Sequence, residues 1–199
     1  MSARWRRNAY ARPTLEVAYD LLGCRLVRLT PDGLRLSGLI IEVEAYIGQD
    51  DLACHARAGL TKRNQSMWGP PGHAYVYFTY GMHWMLNLVT EEAGNPAAIL
   101  LRGIKPDEGL ERMRINRGGR MDLPLADGPA KLCQALEIEG QMDGHDLCRR
   151  DSQIFIETGP SLESREVQKG PRIGIQTVPE PWRSMPWRFF IELDPEPHS

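Results

Sequence analysis

The 199-residue chain lacks most of the features that place a protein in a class at sight. It has no apolar run of about eighteen residues, so no membrane-spanning helix is expected. The basic start, MSARWRRNAY, is not followed by an apolar segment of signal-peptide length. We therefore expect a flexible basic stretch over 1–12 and a cytoplasmic protein, at the nucleoid in a bacterium or nuclear in a eukaryote. The four cysteines, Cys24, Cys54, Cys133 and Cys148, form no C-x-x-C pair, which argues against a zinc ribbon and for reduced, mostly buried thiols. His55 has no second histidine or cysteine at ligand spacing, so no metal is expected. The chain contains no glycine-rich phosphate loop, no G-x-G-x-x-G after a strand and no G-x-S-x-G, so nucleotide cofactors and the nucleophile-elbow hydrolases are not implied. Repeats and low-complexity tracts are absent. A formal charge of −2 gives none of the basic excess usual in nucleic-acid binders.

The charge that is present is unevenly spread, and distribution matters more than the sum. Residues 102–120 hold Arg102, Lys105, Arg112, Arg114, Arg117 and Arg120 against Asp107, Glu108 and Glu111. Arg57, Lys62 and Arg63 stand between His55 and Asn64 with no acid among them, while Glu42, Glu44, Asp50 and Asp51 gather upstream. A basic face with an acidic centre and an ordinary charged surface both fit this pattern.

Periodicity places a helix over 15–22, with Thr14 as its cap and Gly23 as its stop. A strand over 24–30, a turn at Pro31-Asp32-Gly33 and a return strand over 34–46 follow. On the return strand Leu39, Ile41, Val43 and Ala45 fall on one face, and Ile40, Glu42, Glu44 and Tyr46 on the other. Residues 47–73 read as a long glycine- and proline-bearing loop, a length usually reserved for function. Strands are expected over 73–80, 83–90, 97–104, 153–158, 172–176 and 187–193. Asp107 and Asp127 are expected to cap two helices. Hairpins with separate helices argue for α+β rather than alternating βαβ units.

Two constellations carry chemistry. Glu44 is a carboxylate on an otherwise apolar strand, suited to a general base or to a solvated sheet face, and Glu42 on the same face would raise its pKa. Tyr75, Tyr77, Phe78, Tyr80 and Trp84 crowd one hairpin. Aromatics there usually make cross-strand pairs. A tyrosine in the tight turn Tyr80-Gly81-Met82 instead suits a wedge that fills the gap left by an extruded base.

Taken in order, IIEVEAYIGQDDLACH (40–55), KRNQSMWGPPGHAYVYFTYGMHWMLN (62–87), AAILLRGIKPDEGLERMR (97–114), DGPAKLCQAL (127–136) and GPRIGI (170–175) are far more specific than any one alone. Together they resemble the alkyladenine (3-methyladenine, methylpurine) DNA glycosylase family over about 13–193, with a short tail over 194–199. The resemblance implies a single compact α+β domain built on a curved antiparallel sheet with surrounding helices. It implies a monofunctional DNA glycosylase of base-excision repair that flips alkylated or deaminated purines from the duplex and hydrolyses the glycosidic bond, leaving an abasic site. Position by position, Glu44 matches the general base and Arg102 the arginine beside the catalytic water. Tyr46 and His55 match the residues that sandwich the flipped base, with Tyr77 closing the pocket. Asn87 matches the contact to the purine's minor-groove edge, the Ile173 carbonyl an acceptor for the water, and Tyr80 the residue that takes the base's place in DNA. No cofactor and no metal are implied. The partner is double-stranded DNA holding a damaged purine, and the protein is expected to be monomeric.

Two other classes predict different behaviour. A metal-dependent phosphodiesterase built on Glu42, Glu44, Asp50 and Asp51 would nick DNA and stop with a chelator. A non-catalytic nucleic-acid-binding module would be indifferent to Glu44.

Overall fold

The computed structural model describes residues 3–119, 124–159 and 167–192. Its organising element is β2 (Arg35–Ile47), which pairs with β1 (Arg25–Leu29) through its first half. The turn between them closes at Thr30, whose hydroxyl accepts from the Leu34 amide at 3.0 Å, and Gly33 takes φ +85°. Such a φ favours glycine, which has no Cβ to clash. The second half of β2 pairs with β8 (Arg188–Phe190), and its other edge runs along β5 (Ala97–Glu108). The remaining strands are β3 (Ala74–Thr79), β4 (His83–Val89), β6 (Ile154–Glu157) and β7 (Gln168–Gly170). They complete one curled antiparallel sheet in the order β3-β4-β5-β2-β1-β6, with β7 paired to β8. The result is a single compact α+β domain with helices around a curved antiparallel sheet.

Two layers cover the sheet. On one face α2 (Thr14–Leu21) packs on β2 and β5, and α4 (Pro129–Ala135) on β4 and β5. Val17, Leu21, Leu132 and Leu136 bury there against Leu36, Ile40, Val43, Leu86 and Ile99. Each such side chain contributes about 1.5–3 kcal/mol on leaving water. On the other face the 47–73 segment folds over a smaller cluster of Cys54, Ala56, Met67, Tyr75, Val89 and Ala98. That segment is not structureless: it forms short 3₁₀ turns over His55–Ala58 and Gln65–Trp68. Burial on both faces explains why β4 and β5 are apolar almost without alternation.

Several expectations are corrected. The strict alternation along β2 fails because bulges at Ile40, Glu42 and Val43 shift its register against β5. The core face therefore runs through Leu36 and Ile40 and then Val43 and Ala45, while Leu39 and Ile41 are half-buried. A bulge adds one residue and so moves every later side chain to the opposite face. Thr14 does not cap α2: Pro13 precedes the helix, and the Thr14 hydroxyl meets Glu91 at 2.5 Å. β5 runs on to Glu108 because Asp107 meets Arg25 and Glu108 meets Arg35, so Gly109 rather than Asp107 precedes α3 (Leu110–Asn116). Gly128 precedes α4, and Asp127 instead pairs with Lys131 at 2.8 Å.

The chain termini and the late loops add further differences. The basic start, expected to be flexible, packs from Ala3 onward. Arg4 bridges to Glu157, and α1 (Arg7–Tyr10) buries Tyr10 completely. No strand forms over 172–176; the paired residues are Gln168–Gly170. The expected tail over 194–199 and the end of the 187–193 strand lie outside the described residues.

Candidate active site

The bulge in β2 turns Glu44 away from the helical core and into the space under the 47–73 segment. Its side chain is fully buried. The carboxylate is held at three points. Tyr46 donates its hydroxyl to Oε2 at 2.8 Å, and the Ile173 amide donates to Oε1 at 2.7 Å. Arg102 on β5 places Nε 3.3 Å from Oε1 and 2.9 Å from Glu42, which also receives Arg188 at 3.2 Å. Burial pushes the Glu44 carboxyl above the usual carboxylate range. Arg102, the Ile173 amide and the Tyr46 hydroxyl pull it back, and Glu42 adds to the rise. The carboxyl is thus buried with its hydrogen bonds satisfied, and its charged form is held short of full stabilisation.

Beside it lies a cavity of about 320 Å³ whose lining includes Tyr46, His55, Tyr75, Tyr77, Asn87 and Arg102. The volume suits a flat heterocycle of purine size. His55, from the first 3₁₀ turn, places Nδ1 2.8 Å from the Tyr75 hydroxyl and stands edge-on to Tyr77, with ring centroids 4.6 Å apart. Burial first, then Arg63 and Arg57, push the His55 pKa down to about 4, so the imidazole is neutral near pH 7. Asn87 on β4 is buried and donates Nδ2 to the Tyr75 carbonyl at 3.0 Å, which fixes the amide against the cavity wall. Ile173 enters through its amide, where the sequence drew attention to its carbonyl.

Tyr80 occupies the turn between β3 and β4 at the cavity mouth. It is 82% exposed, and its φ of +51° is rare for a tyrosine. A non-glycine residue in the left-handed region costs of order 1–3 kcal/mol and persists where the surroundings impose it. The stem below is stiffened by Phe78 and Trp84, whose ring centroids lie 4.7 Å apart across the strands.

Comparison with known proteins gives the family. The profile of the methylpurine-DNA glycosylase family matches residues 8–195. A protein of Methanocella arvoryzae is 47% identical over 95% of this chain and 92% of its own length. One of Chlorobaculum parvum is 43% identical over 94% and 86%, and one of Carboxydothermus hydrogenoformans 45% identical over 94% of both chains. All three bear the name "Putative 3-methyladenine DNA glycosylase". The chain belongs to the methylpurine-DNA glycosylase family.

As a member of that family it is a DNA-repair enzyme, an N-glycosylase that hydrolyses the bond between a methylated purine and its sugar. The geometry also removes the phosphodiesterase alternative. Asp51 is buried against Arg172, Glu42 and Glu44 share Arg102, and Asp50 is exposed, so the four acids form no common site. Among the described residues no group of three histidines, cysteines or acids is placed to hold a metal, and no helix is long and apolar enough to cross a membrane. Sequence reasoning passed over Tyr75, which orients both His55 and Asn87; its aromatic character was visible but its bonding partners were not. It also passed over Arg172, whose only signal was a charged residue inside the GPRIGI stretch.

Proposed function

We propose that this glycosylase takes alkylated purines, 3-methyladenine among them, and deaminated purines such as hypoxanthine out of duplex DNA and hydrolyses them by water activated at Glu44. The observation that carries the reading is the buried Glu44 carboxylate held directly behind Tyr46, Arg102 and Ile173, which line an aromatic cavity of base size with an exposed tyrosine at its mouth. An enzyme working on a base must remove it from the stack, and damaged pairs are cheaper to open. The flipped base lies between Tyr46 and His55, and Tyr77 closes the pocket. Tyr80 fills the space left in the duplex. A neutral His55 places no charge against a cationic alkylpurine, which aromatic faces attract. Asn87, pinned to Tyr75, meets the minor-groove edge of the purine. There the exocyclic amine of guanine would be buried without a partner, a cost of about 1–3 kcal/mol.

As the glycosidic bond lengthens, its electron pair leaves with the base and the sugar gains positive charge. The Glu44 carboxylate stabilises that charge and takes a proton from the water that attacks the sugar carbon. Arg102 and the Ile173 backbone, its carbonyl included, hold the water. Among the described residues no lysine lines the cavity to form a Schiff base, which supports simple hydrolysis to an abasic site without strand cleavage. The enzyme works alone as a monomer, without cofactor or metal. The test is single-turnover release from a duplex containing one hypoxanthine, without metal, for wild type and Glu44→Gln. Removing the base is expected to cost at least 10²–10⁴-fold, the usual worth of general-base catalysis. Equal release by both proteins would discard Glu44 as the base.

A further inference from the structure

We infer that the buried ion pair of Arg172 and Asp51 is the positioning element of this site, holding Tyr46, the segment leading to His55 and the Ile173 amide in one fixed arrangement around Glu44. The inference rests on the Glu44 reading above. Both side chains are completely buried. The pair is bidentate, with Nη1 2.5 Å from Oδ2 and Nη2 2.9 Å from Oδ1. A buried ion pair is weak evidence for stability, because desolvation offsets much of the attraction. What this pair touches gives it another role.

Arg172 Nη1 also donates to the carbonyl of Ala45, the residue between Glu44 and Tyr46, at 2.9 Å. Its guanidinium lies 4.7 Å from the centre of the Tyr46 ring and 5.0 Å from that of Trp187. One face of Tyr46 is therefore taken, its hydroxyl is held by Glu44, and the other face is left for a base. Asp51 accepts from the amides of Ile47 and Ala53 at 3.3 and 3.0 Å, fixing where the chain leaves β2 and enters the turn bearing His55. The residue after Arg172 is Ile173, whose amide grips Glu44. Three walls converge on one guanidinium. A lysine is a point charge and lacks the planar fork needed for these contacts.

The pH dependence follows from what faces Glu44. Glu42 and Tyr46 stand on β2 and Arg102 on β5. Tyr77 faces it from β3, and Arg188 on β8 reaches Glu42. Of these contacts the Ile173 amide and the Tyr46 hydroxyl depend on Arg172, and both favour the carboxylate. Loosening them raises the Glu44 pKa further.

The experiment measures the single-turnover rate constant per active site, its pH profile and duplex affinity. It compares wild type, Glu44→Gln, Arg172→Lys and the double variant Arg172→Met with Asp51→Leu. The double variant removes both charges together, so it avoids the incompletely paired buried charges that Arg172→Lys leaves and that can unfold it. The expected result is a rate constant lower by about tenfold to a hundredfold, the scale of a misplacement of about 1 Å. The acid limb should move to higher pH, and affinity for undamaged duplex, which puts no base in the cavity, should stay unchanged. A purely structural pair would lower the melting temperature and the active fraction and leave the rate constant and the limb where they are; that outcome in a folded variant overturns the inference. Equal release by Glu44→Gln and wild type would instead overturn the Glu44 reading on which it rests.

Discussion

Glu44 is stabilised as an anion by three groups and destabilised by its burial, and burial wins. The balance has a sign that can be measured. The folded-state pKa lies above the unfolded value. As pH rises through the ordinary carboxylate range, the unfolded chain therefore gives up its proton while the folded protein keeps it. Stability attributable to this residue is complete below that range and is lost as pH rises to the folded pKa. Glu44→Gln removes the titration while a side-chain amide can still accept from Ile173. The variant should melt at the same temperature as wild type at acid pH and at a higher temperature at neutral pH, with the gap opening between the two pKa values. Thermal melts of both proteins across that range decide it. A gap constant with pH would show that the three partners balance burial, and one of opposite sign that they outweigh it. A catalytic carboxylate that costs stability is the expected trade of a site built for reaction rather than for folding.

At the scale of elements, the β3–β4 hairpin is the part that reaches outward. Its stem is clamped by Phe78 on Trp84, and Trp84 in turn lies over Gly140, where a Cβ would come within 2.5 Å of the ring. The clamp makes the turn at Tyr80 a rigid projection. Tyr80→Ser should slow release from duplex roughly tenfold to a hundredfold, since stacking on a base is worth about 1–3 kcal/mol. Any activity on single-stranded substrate should be spared, because no gap needs filling there. Equal loss on both substrates would remove the wedge role. This hairpin was legible in the sequence, because aromatics alternating about a tight Gly-Met turn allow few other structures. The candidate residues come from the motifs that carry the resemblance; in the structure Tyr46, His55, Tyr77, Asn87, Arg102 and Ile173 line one cavity, and Glu44 lies behind it, bonded to Tyr46 and Ile173. Other features were not legible. The bulge in β2 has no residue signature, since its cause is the mismatch with β5. Asp107 reads as a cap by local rule but is claimed by Arg25 across the sheet. The Arg172–Asp51 pair joins residues far apart in sequence whose neighbours give no periodic hint.

At the scale of the molecule, a protein of net charge −2 must still approach a polyanion. The ion pairs show which cations are free to do so. Arg112 is taken by Glu137 at 2.6 Å and Asp32 at 3.2 Å and Arg114 approaches Glu111, while Arg117 meets the neutral amide of Gln134. The 112–120 stretch, a natural candidate from sequence for phosphate contacts, is thus partly neutralised within the fold, and Arg120 lies outside the described residues. Arg57 and Arg63 differ. Their guanidiniums meet the carbonyls of Leu52 and Phe78 rather than carboxylates, and Arg63 lies 5.4 Å from the Tyr77 ring that closes the cavity. With the exposed Lys62 they place three positive charges on the segment that carries His55, Arg63 being the one beside the cavity residue Tyr77. Each phosphate neutralised releases counterions and adds about 0.9 to the slope of log affinity against log salt. Reversing Arg57, Lys62 and Arg63 together should therefore flatten that slope by roughly two to three. The internally paired Arg112 provides the control, because its replacement by alanine should leave the slope unchanged. Duplex binding titrated at several salt concentrations separates the outcomes. A slope unmoved by the triple reversal, or lowered by the Arg112 change, would move the phosphate-binding face from the segment that carries His55 to the α3 side of the molecule.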